Sequence, residues 1–462
     1  MRQMLGVEAL TTDLATRIRG EVLAASHPEY ETARRVWNGT VDRHPLAVAR
    51  CRSTDDVGEV IRFAVDRNLP LAVRGGGHGL PGFGTCDDGI VLDLSPMRGV
   101  QVDPENRVAR AQGGCRWSDY DAATHRHGLA SPGGLISSTG VAGLTLGGGI
   151  GWLARRYGLA CDNLVAAEVV TASGAVLRAS ADQHADLFWG LRGGGGNFGV
   201  VTEFAFQVHP VSTVVAGLAL FSAERTVEVS RFYRDYVVGL PDEFTTLLGF
   251  LTAPTESFVP AELRGKPAVA IVGCYCGLPD GAAEVLAPVR ALAPAVDLFG
   301  SMPYPGFQTL FDAELPAGDR YYFKGGFLSG CSDSVVAVIE HFMACRPSPG
   351  DEFDLHHMGG AVARVGEDET AFADRAASFT YNIRAKWSDP AADAANRDWA
   401  RAFAAELDRM GTGRSYVNFL SEGAGEGGVR SAYGEQRYRR LVDLKRAFDP
   451  TNVFRLNQNV RP

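Results

Sequence analysis

RGGGHG at residues 74–79 follows the apolar run LPLAV (69–73) and opens a long glycine-rich loop, GGGHGLPGFGTCDDG (75–89), which ends at the strand-like IVLDL (90–94). Upstream, LAVARC (46–51) and a helix opened by Ser53, Thr54, Asp55 and Asp56 complete a βαβ-like unit with it. Ser53 can cap that helix, and Val57, Val60, Ile61 and Ala64 recur at helical spacing to give it one buried face. Three more glycine-rich stretches follow: SSTGVAGLTLGGGIG (137–151), YGLACDN (157–163) and RGGGGNFGVV (192–201).

The pattern G-x-G-x-x-G/A occurs at Gly77/Gly79/Gly82, Gly149/Gly151/Ala154 and Gly194/Gly196/Gly199. A dinucleotide fold needs it between a strand and a helix, so that phosphate meets the helix N-terminus. The first leads into another strand, the second has no clear strand before it, and the third runs from helical DLFWGLRG (186–193) into strand VVTEFAF (200–206). A plain tight turn would explain one such cluster. Four between residues 74 and 201 read better as backbone loops converging on one extended ligand, because glycine permits close approach and oriented N–H groups cradle a diphosphate.

Further strands are expected at 108–111, 166–171, 175–179 and 200–208. From about residue 211 the texture changes to strands at 214–220, 247–252, 268–276, 321–328, 353–358 and 378–387, with helical stretches at 223–238, 282–293 and 334–344. That order implies a sheet covered on one face by helices. A basic helix, GEQRYRRLVDLKRAF (434–448), precedes the tail DPTNVFRLNQNVRP (449–462).

At roughly 150 residues per domain, 462 residues make two or three units, and 45% apolar with 21% charged residues excludes a disordered chain. The 54 acidic and 45 basic residues leave a net charge of −9, against nucleic acid as a partner. The eight cysteines are scattered and most read as small buried residues of a reducing compartment; Cys274 and Cys276 have no zinc spacing, nor do His356 and His357, so no metal is expected. No stretch has signal-peptide or membrane-spanning character, so a cytoplasmic protein without membrane contact is the default.

The four glycine segments, in this order, resemble the FAD-binding domain of the vanillyl-alcohol oxidase/p-cresol methylhydroxylase superfamily. The tail, with YVNF at 416–419, is similar to the berberine bridge enzyme-like branch. The resemblance implies an α+β protein with a two-part FAD-binding domain (1–210, core about 40–210), a substrate domain with a helix-covered antiparallel sheet (211–414), and a C-terminal segment (415–462) returning to the FAD domain. It implies FAD bonded through His78. Contacts come from Arg74, Gly75, Gly76, Gly77, Gly79, Ser137, Ser138, Thr139, Gly140, Gly143, Asp162, Asn163, Gly199, Val201, Tyr416 and Asn418, with Thr139 a neighbour of flavin N5. Many members add a second link from a cysteine; here that position is Ile136, with Cys115 and Cys161 outside the segment, so a single histidyl link is expected. This places the chain with singly linked bacterial members such as 6-hydroxy-D-nicotine oxidase and the enterocin-forming flavoprotein.

Such enzymes oxidise a C–H bond next to oxygen or nitrogen in an amine, an alcohol or sugar, or a natural-product scaffold, and pass the electrons to O2. The proton needs a base within hydrogen-bond reach. Relatives offer a tyrosine as the fourth residue of YVNF, where this chain has Phe419. Candidates are therefore sought in FDLHHM (353–358) and SFTYNIRAKW (378–387). Strand alternation puts Asp354 and His356 on one face, with Leu355 and His357 on the other, and Tyr381 and the pair Tyr321/Tyr322 are further options. Two other readings stay open: an NADPH-dependent reductase with non-covalent FAD, and a catalytically silent flavin-binding scaffold. The residues leave substrate and oligomeric state undetermined.

Overall fold

The computed structural model describes residues 2–423 and 425–462, the side chains of residues 2–7 excepted. The βαβ-like unit is present. Strands Ala47–Arg50 and Leu71–Arg74 both pair in parallel with Ile90–Asp93, which lies between them, and Glu21–Ala24 closes the far edge antiparallel. Helix Thr54–Asp66 is capped by Ser53, whose hydroxyl accepts the Asp56 N–H at 3.2 Å, and its Val57, Val60, Ile61 and Ala64 are buried against this sheet. Burying four such apolar side chains is what fixes the helix, at about 1.5–3 kcal/mol for a large one.

A second, antiparallel sheet runs in the order Val100–Asp103, Val108–Gln112, Val200–Gln207, Leu164–Val170, Val176–Ser180. Its core includes Phe188, Phe198, Phe204 and Phe206, and helices Gly425–Tyr433 and Glu435–Phe448 return to it through Val429, Tyr433, Leu441 and Leu444. The glycine motifs sit between these elements as the flanks suggest: RGGGHG joins two strands, and RGGGGNFG joins helix Ala185–Leu191 to strand Val200–Gln207. GGGIG lies between helix Val141–Leu146 and the four-residue Ala154–Tyr157. None has the strand-to-helix order of a dinucleotide fold.

The third sheet is fully antiparallel. Strands Thr213–Ser222, Pro267–Tyr275, Phe244–Thr252, Glu352–His357, Phe379–Trp387 and Arg320–Leu328 are neighbours in that order. Helices Thr226–Tyr236, Pro279–Ala291, Asp333–Ala344 and Asp393–Asp408 cover one face, where Phe353, Leu355, Tyr381 and Ile383 are buried with Val229, Val335 and Phe403. Alternation therefore leaves Asp354, His356, Asn382 and Arg384 on the open face. Helices Trp117–His125 and Asp393–Asp408 and the strand Glu21–Ala24 go beyond the sequence reading; each is made by tertiary packing onto elements that were legible. All eight cysteines are free, Cys345 alone being exposed, and no described helix is long and apolar enough to cross a membrane.

Candidate active site

The glycine loops of the first two sheets and the open face of the third enclose a cavity of about 380 Å³. Its floor is nearly bare backbone. A Cβ on Gly76 would fall 2.5 Å from Gly140 Cα, so the RGGGH and STG loops can touch only as glycines, whereas a Cβ at Gly79, Gly143 or Gly196 would meet nothing within 4 Å. Gly75, Gly77, Thr139, Gly199 and Val201 complete this side of the lining. Arg74 also lines it, but its guanidinium is engaged elsewhere: it donates to Asp93 at 2.8 and 3.3 Å and to the carbonyl of Ala33 at 2.5 Å. Arg74 thus anchors the loop and presents its aliphatic stem.

His78 lies at the cavity wall, and its Nε2 is buried without a hydrogen-bond partner. Burial, reinforced by the nearby Arg116 charge, pushes its pKa down to about 4, so the imidazole is neutral and nucleophilic at pH 7. From the C-terminal side, the Tyr416 hydroxyl accepts the N–H groups of Gly149 (3.0 Å) and Ile150 (3.4 Å). Asn418 Nδ2 donates to that hydroxyl at 2.8 Å and to the Leu144 carbonyl at 3.0 Å. Burial pushes the Tyr416 pKa up to about 12. Phe419 lines the cavity beside Tyr416, ring centroids 4.8 Å apart, and Ile136 lines it as well. The lining contains no cysteine among the described residues.

The third sheet supplies the polar end. Asp354, Asn382 and Arg384 line it, brought together by the register that pairs Asp354 with Asn382 and Glu352 with Arg384. Arg384 Nε lies 2.9 Å from Asp354 Oδ2, and Arg384 also bonds Glu352. Burial raises the Asp354 pKa and Arg384 opposes the rise. Asn382 Oδ1 is buried and has no partner.

Other expected residues are placed elsewhere. His356 is on the open face but behind Asp354, its Nε2 4.0 Å from Asp354 Oδ2, and it does not line the cavity. Burial pushes its pKa down to about 3, which makes it a poor proton acceptor. Tyr381 points into the helix-covered core and donates its hydroxyl to Asp408 at 2.5 Å, since position 381 has the opposite parity from 382 and 384. Tyr321 donates to the Pro316 carbonyl and Tyr322 packs against Arg401. Ser137 binds Asp312, Asp162 pairs with Arg375 at 2.6 Å, and Asn163 donates to the carbonyls of Tyr157 and Leu159. These three shape the loops, and neither they nor Ser138 line the cavity. Lining residues that sequence reasoning missed include Trp37, Phe323, Asn382, Arg384 and Asn457. Only the alternation of 380, 382 and 384 carried a signal for any of them.

Family comparisons agree with this arrangement. Residues 45–180 match the FAD binding domain model and residues 415–461 the "berberine and berberine like" model. The chain is 30% identical over 473 residues to (R)-6-hydroxynicotine oxidase of Paenarthrobacter nicotinovorans, covering 98% of this chain and 99% of that protein. It is 29% identical to an FAD-linked oxidoreductase of Bacillus subtilis, covering 97% and 98%. The crystal structure of 6-hydroxy-D-nicotine oxidase from Arthrobacter nicotinovorans superposes with a TM-score of 0.86 at 28% identity, covering 96% and 98%. Xylooligosaccharide oxidase from Myceliophthora thermophila shares the fold alone, at a TM-score of 0.85 and 22% identity. Bare glycine loops, an unclaimed buried imidazole and whole-length similarity to these oxidases make this chain an enzyme of the berberine-bridge-like family of FAD-linked oxidoreductases.

Proposed function

We propose that the enzyme oxidises a small molecule at a C–H bond adjacent to oxygen or nitrogen, with FAD held by one covalent bond to His78 and O2 as final acceptor. The observation that carries this reading is the neutral, unclaimed His78 imidazole in the same cavity as the buried Asp354–Arg384 pair. When bound, FAD supplies the two-electron acceptor and the route of those electrons to O2, giving H2O2.

The chain's own residues have separate tasks. The glycine strip of Gly75, Gly76, Gly77, Gly140 and Gly143 would support the cofactor with backbone N–H groups, and Tyr416 and Asn418 fasten the C-terminal turn onto the next stretch of chain, at Leu144, Gly149 and Ile150. Thr139 offers a hydroxyl at the cavity wall. Asp354 takes the proton from the substrate O–H or N–H while hydride leaves the carbon, and Arg384 opposes the rise that burial imposes on the Asp354 pKa and orients its carboxyl. Asn382 Oδ1 accepts a second hydrogen bond from the substrate. Phe323, Leu315, Ile136 and Phe419 exclude water from the reacting carbon. A base on the third sheet accounts for the tolerance of Phe419, where no titratable group is present.

Acid denaturation tests the cofactor link. The expected result is a yellow precipitate and an intact mass increased by one FAD less two hydrogens, both lost in His78→Ala. A colourless precipitate at apoprotein mass overturns the covalent reading. Substrate-dependent O2 uptake with equimolar H2O2 tests the oxidase reading; anaerobic bleaching by NADPH would instead select the reductase.

A further inference from the structure

His78 poses a problem of orientation. It sits in a loop rich in glycine, the residue with the greatest backbone freedom; its Nε2 has no hydrogen-bond partner, and the ring's contact of that kind is with its own residue's backbone in that same loop. The torsion that turns a histidine ring is broad and roughly two-fold, so rotamer preference alone does not fix its plane. What faces the ring is Trp37, stacked on it with centroids 4.1 Å apart and planes 17° apart. Behind Trp37 lies Tyr321, at 3.8 Å and 14°.

Trp37 is itself fixed at both ends. Its backbone N–H donates to the Gly77 carbonyl at 3.0 Å, next to His78, and its carbonyl accepts the Gly318 N–H at 2.9 Å. Its indole Nε1–H donates to the Leu315 carbonyl at 3.0 Å. The following Asn38 donates to the carbonyls of Leu80 and Tyr321 and accepts the Tyr321 N–H. Residues 37–38 thus clamp the RGGGH loop to the third sheet, and the indole lays a face anchored at both ends against the imidazole.

We infer that Trp37 is a positioning residue for flavin attachment: it holds the His78 ring in the plane from which an imidazole nitrogen can bond the flavin methyl carbon. This rests on the reading of His78 as the anchor. In net terms an imidazole N–H and a methyl C–H are replaced by one N–C bond, and the two hydrogens with their electrons go to O2 as H2O2. Trp37 touches neither the bond formed nor those broken; it acts by reducing the orientations the ring explores, the kind of misplacement that costs up to about 100-fold in rate.

The test is the acid-stable fraction of FAD on the purified full-length chain, followed by intact mass over time, in Trp37→Leu, Trp37→Phe and Tyr321→Leu. Trp37→Leu is expected to carry FAD that acid releases, with attachment slowed roughly 10- to 100-fold, and Trp37→Phe, which keeps an aromatic face, to attach it at close to the wild-type rate. Attachment in Trp37→Leu as fast as in wild type overturns the inference, as does a Trp37→Leu protein that retains no FAD in either form. If Trp37→Leu does not fold, Tyr321→Leu decides: slower attachment supports the stack, and an unchanged rate overturns it. A wild-type protein that releases all its FAD in acid sinks the His78 reading itself, an outcome distinct from any of these.

Discussion

Asp354 is held between two opposed influences, burial raising its pKa and Arg384 lowering it. In the proposed role of base it works only ionised, so the rate of anaerobic flavin reduction is expected to rise with pH through its pKa. Arg384→Met removes the opposing charge, the Asp354 pKa climbs, and the acid limb of the rate–pH profile is expected to move to higher pH; an unmoved limb would remove Asp354 from the role. Asp354→Asn is expected to lower the reduction rate by about 10²–10⁴-fold, with the acid-stable FAD unchanged in intact mass. Tyr416 stays protonated at all ordinary pH because burial puts its pKa at about 12. Its task is to accept the Gly149 and Ile150 N–H groups, and Tyr416→Phe strands them at a cost of about 1–3 kcal/mol, measurable as lowered unfolding stability.

At the scale of elements, the glycine loops divide into those that touch each other and those that face the cavity. Gly76 lies against Gly140, and a Cβ on Gly147 would fall 2.0 Å from Asn418 Oδ1. Gly76→Ala and Gly147→Ala are therefore expected to separate packed segments and to lower soluble yield or melting temperature. Gly143→Ala has room for its methyl group, in the cavity itself. It is expected to fold with near-normal stability and to retain less FAD per chain, measured by absorbance after purification. The strand pair 352–357 and 379–387 obeys a similar division by parity: even positions carry the polar cavity end and odd positions the helix-covered core. A one-residue slip would bury Arg384 among Phe353 and Phe403, which is why the register is well determined.

At the scale of the molecule, the FAD-binding part and the third sheet's outlying helix meet at a buried carboxyl. Asp121 on helix Trp117–His125 accepts from Gln308 Nε2 on helix Tyr304–Gln308 at 3.1 Å, and burial pushes its pKa up to about 7. The folded chain then holds a proton that the unfolded chain releases at the usual carboxyl value, so this contribution to stability falls as pH rises from about 4 to about 7. Asp121→Asn is expected to raise the melting temperature at pH 8 and to leave it little changed at pH 4. The sequence alone determined the order of glycine loops, most strands of all three sheets and the shared face of Asp354 and His356, because these follow from local conformational freedom, period-two alternation and motif spacing, while the FAD-binding class was legible through resemblance to a known family; which face of the third sheet stays open is set by helix packing. Tertiary structure decided the rest. Arg384 and Asn382 reach Asp354 only through strand pairing, Trp37 reaches His78 across a loop 41 residues away in the chain, and Tyr381, His356, Asp162 and Asn163 are diverted to packing. Such contacts join residues distant in sequence, and their geometry exists only once the sheets have packed.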